Sequence, residues 1–278
     1  MRAPPARILL LLSCLAATQA APAQVAPQAV ADAGPCSLEK AEPATVARIE
    51  DDFDLVLTDG RRIALTGLDF PPNGPLRDAA LTRIIAWLDG ADVFVEAFAG
   101  APDRWGKLPA QIVAPAGAAP EAPLISVGAA LLREGLARYR PDSAAAPCAP
   151  AYLAAERAPR EARTGIWAQE PEIDASAAEP AALDALAQRR GLAVVTGRIA
   201  SVGESKTAYY LNFGQKRATD FSVMVFKKNL AIFEAHGVVP RTLMGRRVRV
   251  RGLIDNHYGP RMEISTPAEL EMLDAVSR

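Results

Sequence analysis

The sequence predicts a mainly β fold with helices, built as two small OB-like Greek-key barrels, and three observations predict it. Short alternating apolar runs recur between turn signals over residues 45–113 and again over 191–278. In each stretch the strand runs are interrupted by one helical stripe, the order expected of an OB-like barrel. Residues 168–182, rich in Ala, Glu and Pro with no strand pattern, separate them as a linker would.

Met1 to Ala20 reads as a secretory signal: Arg2 and Arg7 are basic, Ile8–Leu12 begin an apolar core, and Thr18-Gln19-Ala20 offers a small-residue cleavage site. Leu11-Leu12-Ser13-Cys14 offers a lipoprotein processing box as the alternative, with a very short apolar run before Cys14. Export to the periplasm or medium is the expectation. Residues 21–44 read as a flexible leader, and no later stretch reaches ~18 uninterrupted apolar residues, the length of a membrane span. Removing the signal leaves Cys36 and Cys148. An even count in an exported chain suggests a disulfide, with two free thiols as the alternative.

The first barrel is expected over 45–168. Val46–Ile49, Leu55–Thr58 and Arg62–Gly67 form a meander, with Asp59-Gly60 as its hairpin turn. Leu76–Leu88 is a helical stripe with Pro75 in its first turn. Val93–Phe98 and Ala110–Val113 return to strand. Two more helices are predicted at 124–137 and 151–164, the second kinked by Pro159, which makes three. After a linker at 169–190, the unit 191–278 has strands at 193–202, 208–213, 221–226, 247–254 and 261–265, and a helix at 230–236. Whole-chain net charge is −1, which names no partner, but 191–278 holds 13 Lys/Arg against 8 Asp/Glu and 37–170 holds 14 against 19. A basic half suits an anionic partner.

Four stretches resemble one family. The strand from Asp59-Gly60 to Gly67-Leu-Asp-Phe-Pro-Pro72, Asp103-Arg-Trp-Gly-Lys107, Gly128 through Arg133-Glu-Gly-Leu-Ala-Arg138, and Tyr152 through Gly165-Ile-Trp167 are similar, in order, to motifs of staphylococcal-nuclease-like (thermonuclease) proteins. The resemblance implies calcium-dependent phosphodiester hydrolysis: carboxylates hold calcium, a Glu aids the attacking water, and two Arg stabilise the transition state. Carried over, the first arginine falls at Ala64, the Glu at Pro72 and the second arginine at Lys107. The metal-site Asp falls at Phe53, or at Asp52 if the turn slips by one, and Asp69 is retained. These are degenerate catalytic positions. A remnant calcium site from Asp51, Asp54 and Asp69 is one expectation; no cofactor is the other.

The expected function is therefore an impaired, exported homologue acting as a binding module. The alternatives are a calcium-dependent nuclease with rearranged residues and an envelope scaffold with a protein partner. Arg247, Arg249 and Arg251 alternate onto one strand face. With Tyr209 and Tyr210 they suggest a surface for single-stranded DNA or RNA. The second unit resembles the small OB-like domain that follows some exported thermonuclease-like proteins.

Overall fold

The computed structural model describes residues 36, 39–117, 119, 121–175, 180–216, 219–257 and 259–274. The expected signal peptide, most of the expected leader and Cys14 lie outside the described residues. The described chain forms two main sheets, each over its own apolar core.

The first sheet is a closed five-stranded barrel. Strand β1 (Glu42–Ile49) pairs with β2 (Leu55–Leu57), and β2 with β3 (Arg62–Leu65). Gly60, at φ +88°, makes the β2–β3 turn, a conformation that side-chain-bearing residues rarely adopt. Helix α1 (Pro75–Leu88) then crosses and buries Ala80, Ile84 and Leu88. Strand β5 (Asp92–Ala97) lies antiparallel to β1, and β6 (Lys107–Pro115) antiparallel to β5. A parallel β3–β6 ladder closes the ring, with Arg62 opposite Lys107 and Ala64 opposite Pro109. The short β4 (Leu68–Asp69) pairs outside the barrel with β8 (Arg138–Tyr139).

The helices depart from expectation in two places. Leu124–Ser126 is a strand, β7, on β6. Ser126 ends it by capping α2 (Val127–Arg133), its Oγ accepting the Ala129 N–H at 3.3 Å. The kinked helix is two pieces, α3 (Ala149–Ala155) and α4 (Arg157–Ala162), broken at Glu156. Pro159 has no N–H to return to the carbonyl of Ala155, so the break falls one turn before the ring. Helix α5 (Ile166–Gln169) follows a close approach: a Cβ on Gly165 would lie 2.2 Å from the Gly135 carbonyl oxygen. Ile166 N–H donates to that same oxygen at 2.8 Å. The Arg-Glu-Gly-Leu-Ala and Gly-Ile-Trp motifs are thus two sides of one contact.

The expected disulfide is present. Cys36 and Cys148 are bonded with their Cα atoms 4.8 Å apart, within the range a bridge requires. It ties the chain just before β1 to the start of α3 across 112 residues.

The stretch read as a linker carries structure. Ile173–Asp174 (β9) pairs in parallel with Val195–Thr196, and α6 (Pro180–Gln188) places Leu186 in the second core. Two residues show no period, so this strand comes from tertiary pairing. The predicted strand 193–202 is two segments, β10 (Leu192–Arg198) and β11 (Ser201–Glu204). Then come β12 (Ala208–Asn212), β13 (Ser222–Phe226), α7 (Leu230–Ala235), β14 (Arg247–Asp255), β15 (Arg261–Ile264) and β16 (Leu270–Met272). The sheet order is β11-β12-β13-β15-β14-β10-β9, with β16 also on β14. This second sheet is an open half-barrel.

Candidate functional site

The β1–β2 turn carries a tight group of charges. Glu50, Asp52 and Asp54 place their carboxylate oxygens within 4.8 Å of one another, a set that could coordinate a metal ion. The turn is locally forced. Phe53 N–H donates to the Glu50 carbonyl at 3.0 Å, and Glu50 N–H to the Asp54 carbonyl at 2.8 Å. This puts Phe53 at φ +69°, a left-handed conformation rare for a bulky side chain. Burial offsets that cost. The Phe53 ring stacks on Phe70, centroids 3.9 Å apart and planes 10° apart, and the Arg77 guanidinium lies 5.0 Å from the Phe53 centroid.

Three cations already serve the carboxylates, Arg48 through Glu50, its Nη2 3.0 Å from Glu50 Oε1. Lys107 Nζ lies 2.7 Å from Asp52 Oδ2 and 2.6 Å from Asp54 Oδ2. Arg62 Nη2 reaches Asp54 Oδ2 at 3.4 Å and also bonds Glu50. The Asp103-Arg-Trp-Gly-Lys107 motif delivers the lysine: Asp103 Oδ1 accepts the N–H groups of Trp105 and Lys107, each at 2.9 Å. Trp105 itself projects, 63% exposed, with the Arg104 guanidinium 4.0 Å from its ring. Burial raises the Asp54 carboxyl, which the Lys107 hydrogen bond only partly offsets. For Asp52 the hydrogen bonds from Lys107 and the backbone of Asp54 outweigh burial, and its carboxyl is held below the usual range. The hydrogen bonds that Lys107 donates to the Asp52 and Asp54 side chains raise its ammonium.

Calcium takes six to eight oxygens at about 2.3–2.6 Å. The carboxylates are the right kind of donor, but three of them, already countered by Lys107, Arg62 and Arg48, do not fit that ion as they stand.

The sequence-derived positions separate. Of the expected calcium ligands, Asp54 belongs to the acidic group, while Glu50 and Asp52 join it in place of Asp51 and Asp69. Asp69 is instead held by Arg138, Nη2 to Oδ2 at 2.7 Å, on the β4–β8 pair. Asp51 is exposed at the turn, where its carbonyl accepts from Arg77. Ala64 lies two pairs along the ladder from the Arg62–Lys107 pair and contributes no charge, and Pro72 is exposed just before α1. Sequence reasoning missed Glu50. Its signal was available, since it stands two and four residues before the other two acids across a tight turn.

The proposed nucleic-acid residues do not form one open face. Arg251 is 0% exposed: it donates to the Tyr139 carbonyl at 3.0 Å and pairs with Glu156 at 2.8 Å and Glu271 at 2.6 Å. Arg249 pairs with Glu172 at 2.7 Å and Glu271 at 3.2 Å. The arginine face of β14 is turned toward the first unit, whose Glu156 and Tyr139 it meets. Tyr209 is buried beneath Lys227, and only Arg247 and Tyr210 keep accessible side chains.

The barrel and its flanking helices were expected from the sequence; the Gly135–Gly165 contact that joins two of the motifs was not. Residues 72–169 match the family model described as Staphylococcal nuclease homologue. This segment is similar to staphylococcal nuclease homologues. The match begins at Pro72, so β1–β3 and their carboxylates lie outside it, although the nuclease-like barrel includes those strands. Among curated proteins no relative matches the chain. No helix among the described residues is long and apolar enough to cross a membrane.

Proposed function

We propose that this chain is an exported, staphylococcal-nuclease-like protein whose first unit binds rather than cleaves. The observation that carries the reading is Phe53. Where the family resemblance puts a metal-binding aspartate, at Phe53 or at Asp52 if the turn slips by one, this chain has at Phe53 a buried aromatic ring stacked on Phe70 and at Asp52 a carboxylate already taken by Lys107. Ala64 and Pro72 support it, because neither side chain can bind a phosphate or activate water. Loss of a single transition-state donor typically costs ~10²–10³ in rate. The Cys36–Cys148 disulfide supports a location outside the reducing cytoplasm.

In this reading the units are 45–168 and 191–278, and the second belongs to the same barrel class. The order β11-β12-β13-β15-β14-β10 supports that if β10 and β11 are two arms of one bent first strand. The partner class is single-stranded nucleic acid, supported by the family likeness and the basic balance of 191–278. An open cleft of about 850 Å³ between the Asp59–Arg62 turn and the loop 98–106, lined by Lys40, Arg61 and Arg62 with Glu42 and Asp59 paired to Arg61, offers the first unit's share of the surface.

A plasmid-cleavage assay in calcium, beside an active staphylococcal nuclease, tests the reading together with oligonucleotide binding at low and high salt. We expect no cleavage at family-like rates, and binding that falls steeply with salt as counterions are released. Calcium-dependent cleavage abolished by Asp54→Ala or Asp69→Ala would restore the nuclease. Neither cleavage nor binding would leave the scaffold reading.

A further inference from the structure

We propose that Lys107 is the resident cation of the Glu50–Asp52–Asp54 group, seated where a divalent ion would otherwise go, so that the wild-type chain takes up no calcium there. The proposal rests on the reading of a non-cleaving first unit and specifies how its acidic group is kept intact without metal.

Asp54 is only 4% exposed, and a buried carboxylate persists in a fold only when a counter-charge or hydrogen bond answers it. Lys107 supplies both, at 2.6 Å, and serves Asp52 with the same ammonium at 2.7 Å. Its placement is built in. Lys107 opens β6 directly opposite Arg62, and the Asp103 carboxylate fixes the turn before it through two backbone bonds. Three carboxylates against Lys107, Arg62 and Arg48 leave no net charge. A divalent ion entering that space would meet three cations and too few oxygens. Removing the ammonium while keeping the length of the stem tips the balance. A net negative charge then sits on hard oxygen donors, and buried Asp54 has lost its nearest partner. Calcium is the kind of ion that repairs this, with water completing its shell.

The experiment compares full-length wild type with Lys107→Met and Lys107→Gln. Thermal unfolding is followed in chelator and in millimolar calcium, with calorimetric titration of calcium into each protein. The wild type should unfold at the same temperature in both buffers and give no binding heat. The Lys107 variants should unfold earlier in chelator, recover several degrees in calcium and bind it. Adding Asp54→Asn to Lys107→Met should abolish the recovery. Calcium binding by the wild type, measured directly whatever the variants do, would overturn the proposal. So would a folded Lys107→Met or Lys107→Gln protein that ignores calcium. The two readings fail separately: cleavage without calcium would overturn the proposed function and leave Lys107 in place. Calcium uptake by an inert wild type would do the reverse.

Discussion

Two charged networks in this molecule use the same residue types to opposite ends. At the β1–β2 turn, Lys107 and Arg62 serve carboxylates that solvent can reach; the Asp52 side chain is 50% exposed. At the seam between the two sheets, Arg251 and Glu156 are both 0% exposed. Around that pair Arg160 bridges Glu156 at 3.0 Å to Glu172 at 2.9 Å, and Arg249 joins Glu172 to Glu271. Arg138 extends the chain of pairs from Asp69 to Glu170, which also takes Arg189 at 2.8 Å. The difference teaches that depth, rather than composition, sets what an arginine–carboxylate group does. The turn holds a pair, Asp52 with Lys107, that solvent and salt reach; the seam holds two halves of a chain in one arrangement.

The largest expected effect breaks the seam. Arg251→Ala leaves Glu156 buried with less charge to meet it and frees the Tyr139 carbonyl. Removing one partner of a buried pair costs about 3–5 kcal/mol. Denaturant unfolding of the full chain should show that loss, together with faster proteolysis near residues 170–190 as the second sheet undocks. A loss below about 1 kcal/mol would mean that water already reaches the seam.

Acid offers a smaller, continuous way to loosen the same contact. Burial works to raise the Glu271 carboxyl, but Arg251 and Arg249 outweigh it, and the group is held below its ordinary value of 4.5. A depressed folded-state pKa contributes stability that is fully present above the unfolded value. That contribution is lost as pH falls through the folded one. Glu271→Gln should therefore cost most at neutral pH, and the gap from wild type should narrow as the pH drops below 4.5. A gap that stays constant down to the acid limit would show that the carboxylate charge is not what binds the arginines.

The same contrast explains what the sequence could reveal. The first barrel was legible because its strands alternate, its turn is Asp59-Gly60, and Pro75 opens its helix. The acidic group was half legible. Asp54 stood out, but the spacing did not tell which neighbour a left-handed Phe53 would bring beside it. The seam was not legible. Arg247, Arg249 and Arg251 alternate as a solvent-facing strand would, and only the packing of β14 against the first unit decides that Arg251 is buried and Arg249 half-buried. β9 was hidden for the same reason: it is a strand only because β10 lies beside it.

The smallest effect concerns the exposed pair. Asp52 and Lys107 lie 2.7 Å apart, but exposure screens them and the lysine stem gives up rotamer freedom to hold the contact. A double-mutant cycle with Asp52→Asn and Lys107→Met should give a coupling of about 0.2–1 kcal/mol, the range of exposed ion pairs. Raising the ionic strength to about 1 M shortens the screening length to about 3 Å, comparable with the separation itself, so most of that coupling should vanish. The corresponding cycle at the seam, Arg251→Met with Glu156→Gln, should keep its coupling in the same salt because no ion can enter between the groups. Equal salt sensitivity in the two cycles would remove the distinction between an addressable turn and a sealed seam. A rim coupling above about 2 kcal/mol that persists in salt would instead place Lys107 in a drier pocket than its neighbours suggest.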